Sequence, residues 1–232
     1  MCFLLAISLA FRYLCGVMIT HPLWTDECWL PLLGLYYRRP EGLKPVYSRG
    51  MVELALELHI PPQTLYDQMF RLARPTEPSL VRLRRRYDGN RRRLSRDVRT
   101  LRRMAGFSSG GGFYDGVEVR ETFERDFREL KSLPGLKPVM LIMVLDLYFR
   151  LTPQTMVEAT PEVAALARLM KVKPHAVVSV LTMFQACDPY LRRDKPQASP
   201  LYAACHDVWQ RYGNGEPQHL AALAAQMREY FK

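Results

Sequence analysis

Shifted against itself by 112 residues, the chain meets its own pattern, and this constrains the fold more than any other feature. Leu35, Tyr36 and Arg38 fall on Leu147, Tyr148 and Arg150; without a gap, Leu54, Ala55 and Pro62 fall on Leu166, Ala167 and Pro174. Met51, Leu58, Ile60, Leu65 and Met69 meet Val163, Met170, Val172, Val177 and Leu181, apolar for apolar, and Ser48 meets Thr160. Farther on, Tyr87, Leu94 and Met104 can be set against Tyr212, Leu220 and Tyr230 if the second copy has a longer loop around CDPYLRRDKPQAS. A shared register of caps, core positions and turn prolines implies an ancestral duplication. The apolar spacings of three and four make the repeated unit helical.

Local signals give the same reading. Thr25 is a good N-cap, with Asp26 and Glu27 in the first turn where the helix dipole favours acids, and the run that follows ends in Arg38 and Arg39. Ser48 caps a second helix through Leu58, and Pro62 opens a third through about Leu72. Leu80, Leu83 and Tyr87 place a fourth helix; Leu94, Val98, Leu101 and Met104 place a fifth. Residues 106–116 (GFSSGGGFYDG) interrupt the pattern, because consecutive glycines lose too much backbone entropy in a helix. A charged amphipathic piece, VEVRETFERDFREL, follows. Then comes KPVMLIMVLDLYFRL, apolar on nearly every face but too short for a bilayer, so it reads as a buried core helix. Thr160-Pro161-Glu162, Pro174, Ser199-Pro200 and Pro217 open the remaining helices, the last running to about Tyr230.

The expected architecture is all-α: two tandem, pseudo-duplicated helical bundles, each with a helix-turn-helix-like unit. Residues 1–22 form an apolar leader, 23–105 a basic first unit, 106–135 a linker with the amphipathic segment, and 136–232 a second unit. The leader lacks the basic start of a secretory signal, and Arg12 interrupts its apolar run. It reads either as an artefactual or disordered start, with Met18 as an alternative first residue, or as membrane-associated. Cys2, Cys15, Cys28, Cys187 and Cys205 are odd in number and form no CxxC pair, which argues against a disulfide framework or zinc site and fits a reducing cytoplasm.

Within each copy, LALELHIPPQTLYDQM (from Leu54) and LARLMKVKPHAVVSVL (from Leu166) resemble the helix-turn-helix of bacterial repressors. Ala55 and Ala167 stand where a small residue lets the helices cross closely, and Ile60 and Val172 where an apolar residue plugs the turn. The resemblance implies that the second helix enters the major groove. It would expose Gln63, Thr64, Asp67, Gln68 and Arg71 in the first copy, and His175, Ser179 and Thr182 in the second. Two departures weaken it. The turn position that is usually glycine holds His59 and Lys171, and Ala176, Val178 and Val180 make the second copy's face too apolar to read bases.

Charge supplies an independent signal. The chain carries a net +10, of which residues 1–104 contribute 18 Lys+Arg against 9 Asp+Glu. Between Arg82 and Arg103 stand eleven arginines, Arg82, Arg84, Arg85, Arg86, Arg91, Arg92, Arg93, Arg96, Arg99, Arg102 and Arg103, against two acids, Asp88 and Asp97. Mixed signs are the norm for a merely solvated face. Guanidinium groups flanking an apolar helical stripe suit phosphate contact, because the planar fork donates paired hydrogen bonds to an anion.

No catalytic, metal or cofactor site is expected. The five histidines are scattered, Gly110-Gly111-Gly112 has no GKS/T behind it, and Asp146 in its apolar helix is best matched to an arginine such as Arg150. The stretches LWTDECWLPLLGLYYRRP, ELHIPPQTLYDQMF, PVMLIMVLDLYFRLTPQTMVEATPE and WQRYGN resemble a conserved family of bacterial helical proteins, a resemblance that implies a cytoplasmic, non-secreted protein and no particular activity. The expectation is a non-enzymatic nucleic-acid-binding protein, possessing a DNA or RNA partner and open to a protein partner or homodimerisation. No small-molecule substrate is expected, and no membrane partner unless the leader provides one. A helical protein-interaction module without a nucleic-acid role is the alternative.

Overall fold

The computed structural model describes residues 21–107, 123–191, 193–194, 196 and 199–232. Nearly all of the apolar leader, most of the glycine-containing break and the start of the amphipathic segment lie outside the described residues. The fold is all-α, with eleven α-helices and no β-strand among the described residues. A 3-10 turn, Asp26–Cys28, leads into α1 (Trp29–Tyr36), α2 (Arg49–Leu58), α3 (Pro62–Ala73), α4 (Pro78–Tyr87) and α5 (Arg91–Leu101). After a short α6 (Phe123–Phe127) come α7 (Pro138–Tyr148), α8 (Pro161–Met170), α9 (Pro174–Cys187), α10 (Pro200–Val208) and α11 (Pro217–Met227). A π turn, Trp209–Gly213, continues α10, and a 3-10 turn, Arg228–Phe231, ends the chain. None of these helices is long and apolar enough to cross a membrane.

Seven of the helices, α3, α4, α7, α8, α9, α10 and α11, begin on a proline. The first helical N–H has no intrahelical partner, so its loss is harmless there, and the ring presets the helical φ. Ser48 and Thr160 occupy N-cap positions with extended backbone, but neither side chain makes the cap hydrogen bond. In α7 every residue is buried, Asp146 included, and Asp146 accepts from Arg150 at 2.8 Å. The helix is the axis of its half, touching α8, α9, α10 and α11, as α1 touches α2, α3 and α5 in the other.

Two apolar clusters result. One gathers α1 to α5 around Leu32, Leu33, Ile60, Leu65 and Leu72; the other gathers α7 to α11 around Leu141, Ile142, Leu181 and Phe184. They meet at a seam. On α2, Met51, Leu54, Ala55 and Leu58 face the first cluster while Val52 belongs to the second. Phe127 of α6 also belongs to the second, stacked on Tyr47 at 5.8 Å and tilted on Tyr230 at 5.2 Å. Buried Tyr230 accepts a hydrogen bond from Lys137 Nζ at 2.9 Å and has the Arg49 guanidinium 5.8 Å from its ring centre. Ion pairs Arg211–Asp126 (2.8 Å) and Arg125–Asp207 (2.6 Å) fasten α6 to the α10 end, and His59–Glu124 (2.7 Å) fastens it to the α2–α3 turn.

The turns between α2 and α3 and between α8 and α9 carry matching backbone geometry 112 residues apart. His59 (φ 55°, ψ 35°) and Lys171 (φ 59°, ψ 38°) are both left-handed. The next N–H closes the same six-residue cap in each: Ile60 to the Ala55 carbonyl at 3.1 Å, and Val172 to the Ala167 carbonyl at 3.0 Å. Tyr36–Tyr37 and Tyr148–Phe149 form edge-on ring pairs, each with centroids 5.5 Å apart. His59 and Lys171 thus hold a left-handed backbone that glycine adopts without strain, at a cost of about 1 kcal/mol each. Lys171→Gly is expected to raise stability by about 0.5–1 kcal/mol in urea denaturation, while Lys171→Ala gives no gain. Exposed Lys171 isolates the backbone effect, whereas His59→Gly also removes the Glu124 contact.

Candidate nucleic-acid interface

Helices α4 and α5 form a hairpin joined by Asp88-Gly89-Asn90, with Gly89 at φ +70° making the turn. Asn90 caps α5, its side chain accepting from the Arg93 N–H at 3.0 Å. Leu80 and Tyr87 bury one side of α4, and Leu94, Val98 and Leu101 one side of α5. Gly34 on α1 faces this side of α5: a Cβ there would lie 3.6 Å from Val98 Cγ2, an ordinary van der Waals contact, so the approach of the two helices does not depend on the glycine. The Tyr87 hydroxyl donates to Asp97 at 3.0 Å, and burial together with that bond raises its pKa.

The eleven arginines divide into two groups by what they touch. Arg84 reaches back to the carbonyls of Leu72 (3.3 Å) and Ala73 (3.1 Å), where the C-terminal end of α3 concentrates partial negative charge. Arg91 donates to the Tyr37 carbonyl at 2.7 Å, pairs with Glu41 at 2.5 Å and lies 4.5 Å above the Tyr37 ring. Its hydrogen bond holds the Glu41 carboxyl below the usual range. Arg102 grips Glu57 of α2 with two bonds, 2.5 and 2.7 Å. These three, read from sequence as phosphate ligands, clamp the hairpin to the rest of the unit. Arg93 leans over the Tyr87 ring at 6.0 Å and lies 3.8 Å from Asp97.

The others face outward. Arg92, Arg96 and Arg99 recur at i, i+4 and i+7, opposite the buried side of α5, and form a stripe about 10 Å long. Arg103 follows one turn later, beyond the helix end. On α4, Arg82, Arg85 and Arg86 are likewise exposed. Of these seven, Arg96 lies 3.5 Å from Asp97 while still 73% exposed, and Arg86 lies 5.6 Å from the Tyr87 ring. Comparison of the chain with protein-family models, curated proteins and solved structures gives no match.

Helix α3 presents a different surface from the one expected. Gln63 is exposed, but its amide donates to Asp67 at 3.2 Å; Thr64 is half-buried. Gln68 is 4% exposed and accepts from Arg71 at 2.7 Å, so its expected exposure is corrected. Arg71 lies 5.2 Å from the Trp29 ring centre and also pairs with Glu77, at the rim of a cleft of about 510 Å³ that Trp24 and Leu83 help to line. Arg71 is drawn aside by the buried Trp29 indole and by Gln68, with exposed Glu77 adding a surface pair. The face left outward is Gln63, Asp67, Phe70 and Arg74. On α9, His175 and Thr182 are exposed and Ser179 is half-buried. The Ser179 and Thr182 hydroxyls donate to carbonyls of their own helix, at 2.9 and 3.0 Å. Val180 is buried. Among the described residues no three His, Cys, Asp or Glu side chains converge as a metal site.

Proposed function

We propose that this protein binds nucleic acid without catalysing a reaction on it, contacting phosphates through the outward arginines of α4 and α5. The observation that carries the reading is the row Arg92, Arg96, Arg99, continued by Arg103 and flanked by Arg82, Arg85 and Arg86, on a hairpin whose only acids are Asp88 and Asp97. Such a row is electrostatically unfavourable alone and is relieved by a polyanion. The clamp formed by Arg84, Arg91 and Arg102 supports the same reading, because it fixes the row at no cost to its exposed members. We read the two helical units as copies of one ancestral unit, a reading supported by the paired left-handed turns at His59 and Lys171. In it the second copy is a structural platform.

The test is fluorescence anisotropy of a labelled 30-base-pair duplex of random sequence, titrated between 50 and 200 mM salt. Six phosphate contacts give a slope of log K against log[salt] of about −5, a loss of roughly a thousandfold across that range. Absence of binding at 50 mM salt would remove the assignment and leave the arginine row facing a protein.

A further inference from the structure

Resting on that nucleic-acid reading, we infer that the bound form is a duplex held by its two phosphate rows, without readout of base sequence. Three observations carry this. First, α4 and α5 pack side by side through a three-residue connection, and both carry outward arginines. Two adjacent helices, each about 10–12 Å across with side chains, present a face roughly 20 Å wide, more than the ~12 Å major groove admits. Laid across a groove, the hairpin sets the arginines of each helix against one strand's backbone. Second, no aromatic ring stands among the exposed residues of α4 and α5; Tyr87 is buried. Without a stacking platform, the face lacks what holds unpaired bases, while paired strands keep their phosphates in fixed rows. Third, the helix that a repressor would place in the groove, α3, is unsuited to base edges. Asp67 sits in the middle of its outward face, bonded by Gln63, and Gln68 and Arg71 are engaged inward.

The experiment uses the full chain and selects from a duplex library with twenty randomised positions, then compares individual duplexes with the same strands unpaired. Selected and unselected duplexes are expected to bind within about threefold of one another, since even one base contact gives about fivefold or more. Each single strand is expected to bind at least tenfold more weakly than its duplex. Enrichment of a motif bound tenfold tighter would overturn the inference, as would a preference for the single strand, and either result would leave phosphate binding in place. Failure to bind any form at 50 mM salt would overturn both the inference and the reading beneath it.

Discussion

Reversing Arg92, Arg96 and Arg99 to Glu is expected to weaken duplex binding by roughly 10²–10³-fold at 0.1 M salt. The estimate follows from counterion release: each lost phosphate contact removes about 0.9 decade per decade of salt, so three contacts remove nearly three decades at 0.1 M. The salt slope is expected to fall from about −5 to about −3 at the same time. The three side chains are exposed and opposite the buried face of α5, so the fold has no reason to respond beyond a few tenths of a kcal/mol. Anisotropy checks the affinity, and circular dichroism with a thermal melt checks the fold. An unchanged affinity with an intact fold would show that the stripe is not the contact surface. Reversal of Arg84, Arg91 and Arg102 is a poor substitute, because it would break the hairpin's attachment and confound binding with unfolding.

Tyr230→Ala is expected to cost about 3–5 kcal/mol, the range for deleting a buried aromatic ring. Tyr230 is 8% exposed at the seam, in contact with Phe127, Lys137 and Arg49. Tyr230→Phe keeps the ring and loses only the bond from Lys137, so about 1 kcal/mol is expected. Urea denaturation of the two variants separates ring burial from the hydroxyl. A small domain has only about 5–15 kcal/mol in hand, so the alanine variant would lose a large share of it. A loss below 1 kcal/mol for Tyr230→Ala would mean that the chain end is not part of the cooperative core.

Helix starts were readable from sequence because they depend on neighbours. Pro62, Pro161, Pro174, Pro200 and Pro217 each open the helix expected of them, and Leu94, Val98 and Leu101 line the buried side of α5. Helix ends were less so. Met104 continues the apolar spacing of α5, yet the helix stops at Leu101 and Met104 is 60% exposed, with no facing element there among the described residues. Thr25 opens a 3-10 turn, and α1 ends at Tyr36, short of Arg38 and Arg39. Among the arginines, sequence gave charge but not direction. Arg91 finds Tyr37 at 54 residues' separation and Arg102 finds Glu57 at 45, and no local pattern announces such partners. Gln68 is a different case: helical spacing sets it beside Leu65, Met69 and Leu72 on the buried side of α3, so its polar character and not its position misled, and Arg71 supplies its partner.

The prolines that open seven helices have an effect that no contact in the folded chain records. A proline restricts the denatured ensemble far more than a helix start that is already fixed, so each lowers the entropy lost on folding by about 0.4–1 kcal/mol where its φ already suits. Seven such sites together amount to about 3–7 kcal/mol. A considerable part of this protein's stability is thus set in the chain before it folds. Replacing those prolines with alanine would weaken the protein while leaving almost every packing distance unchanged.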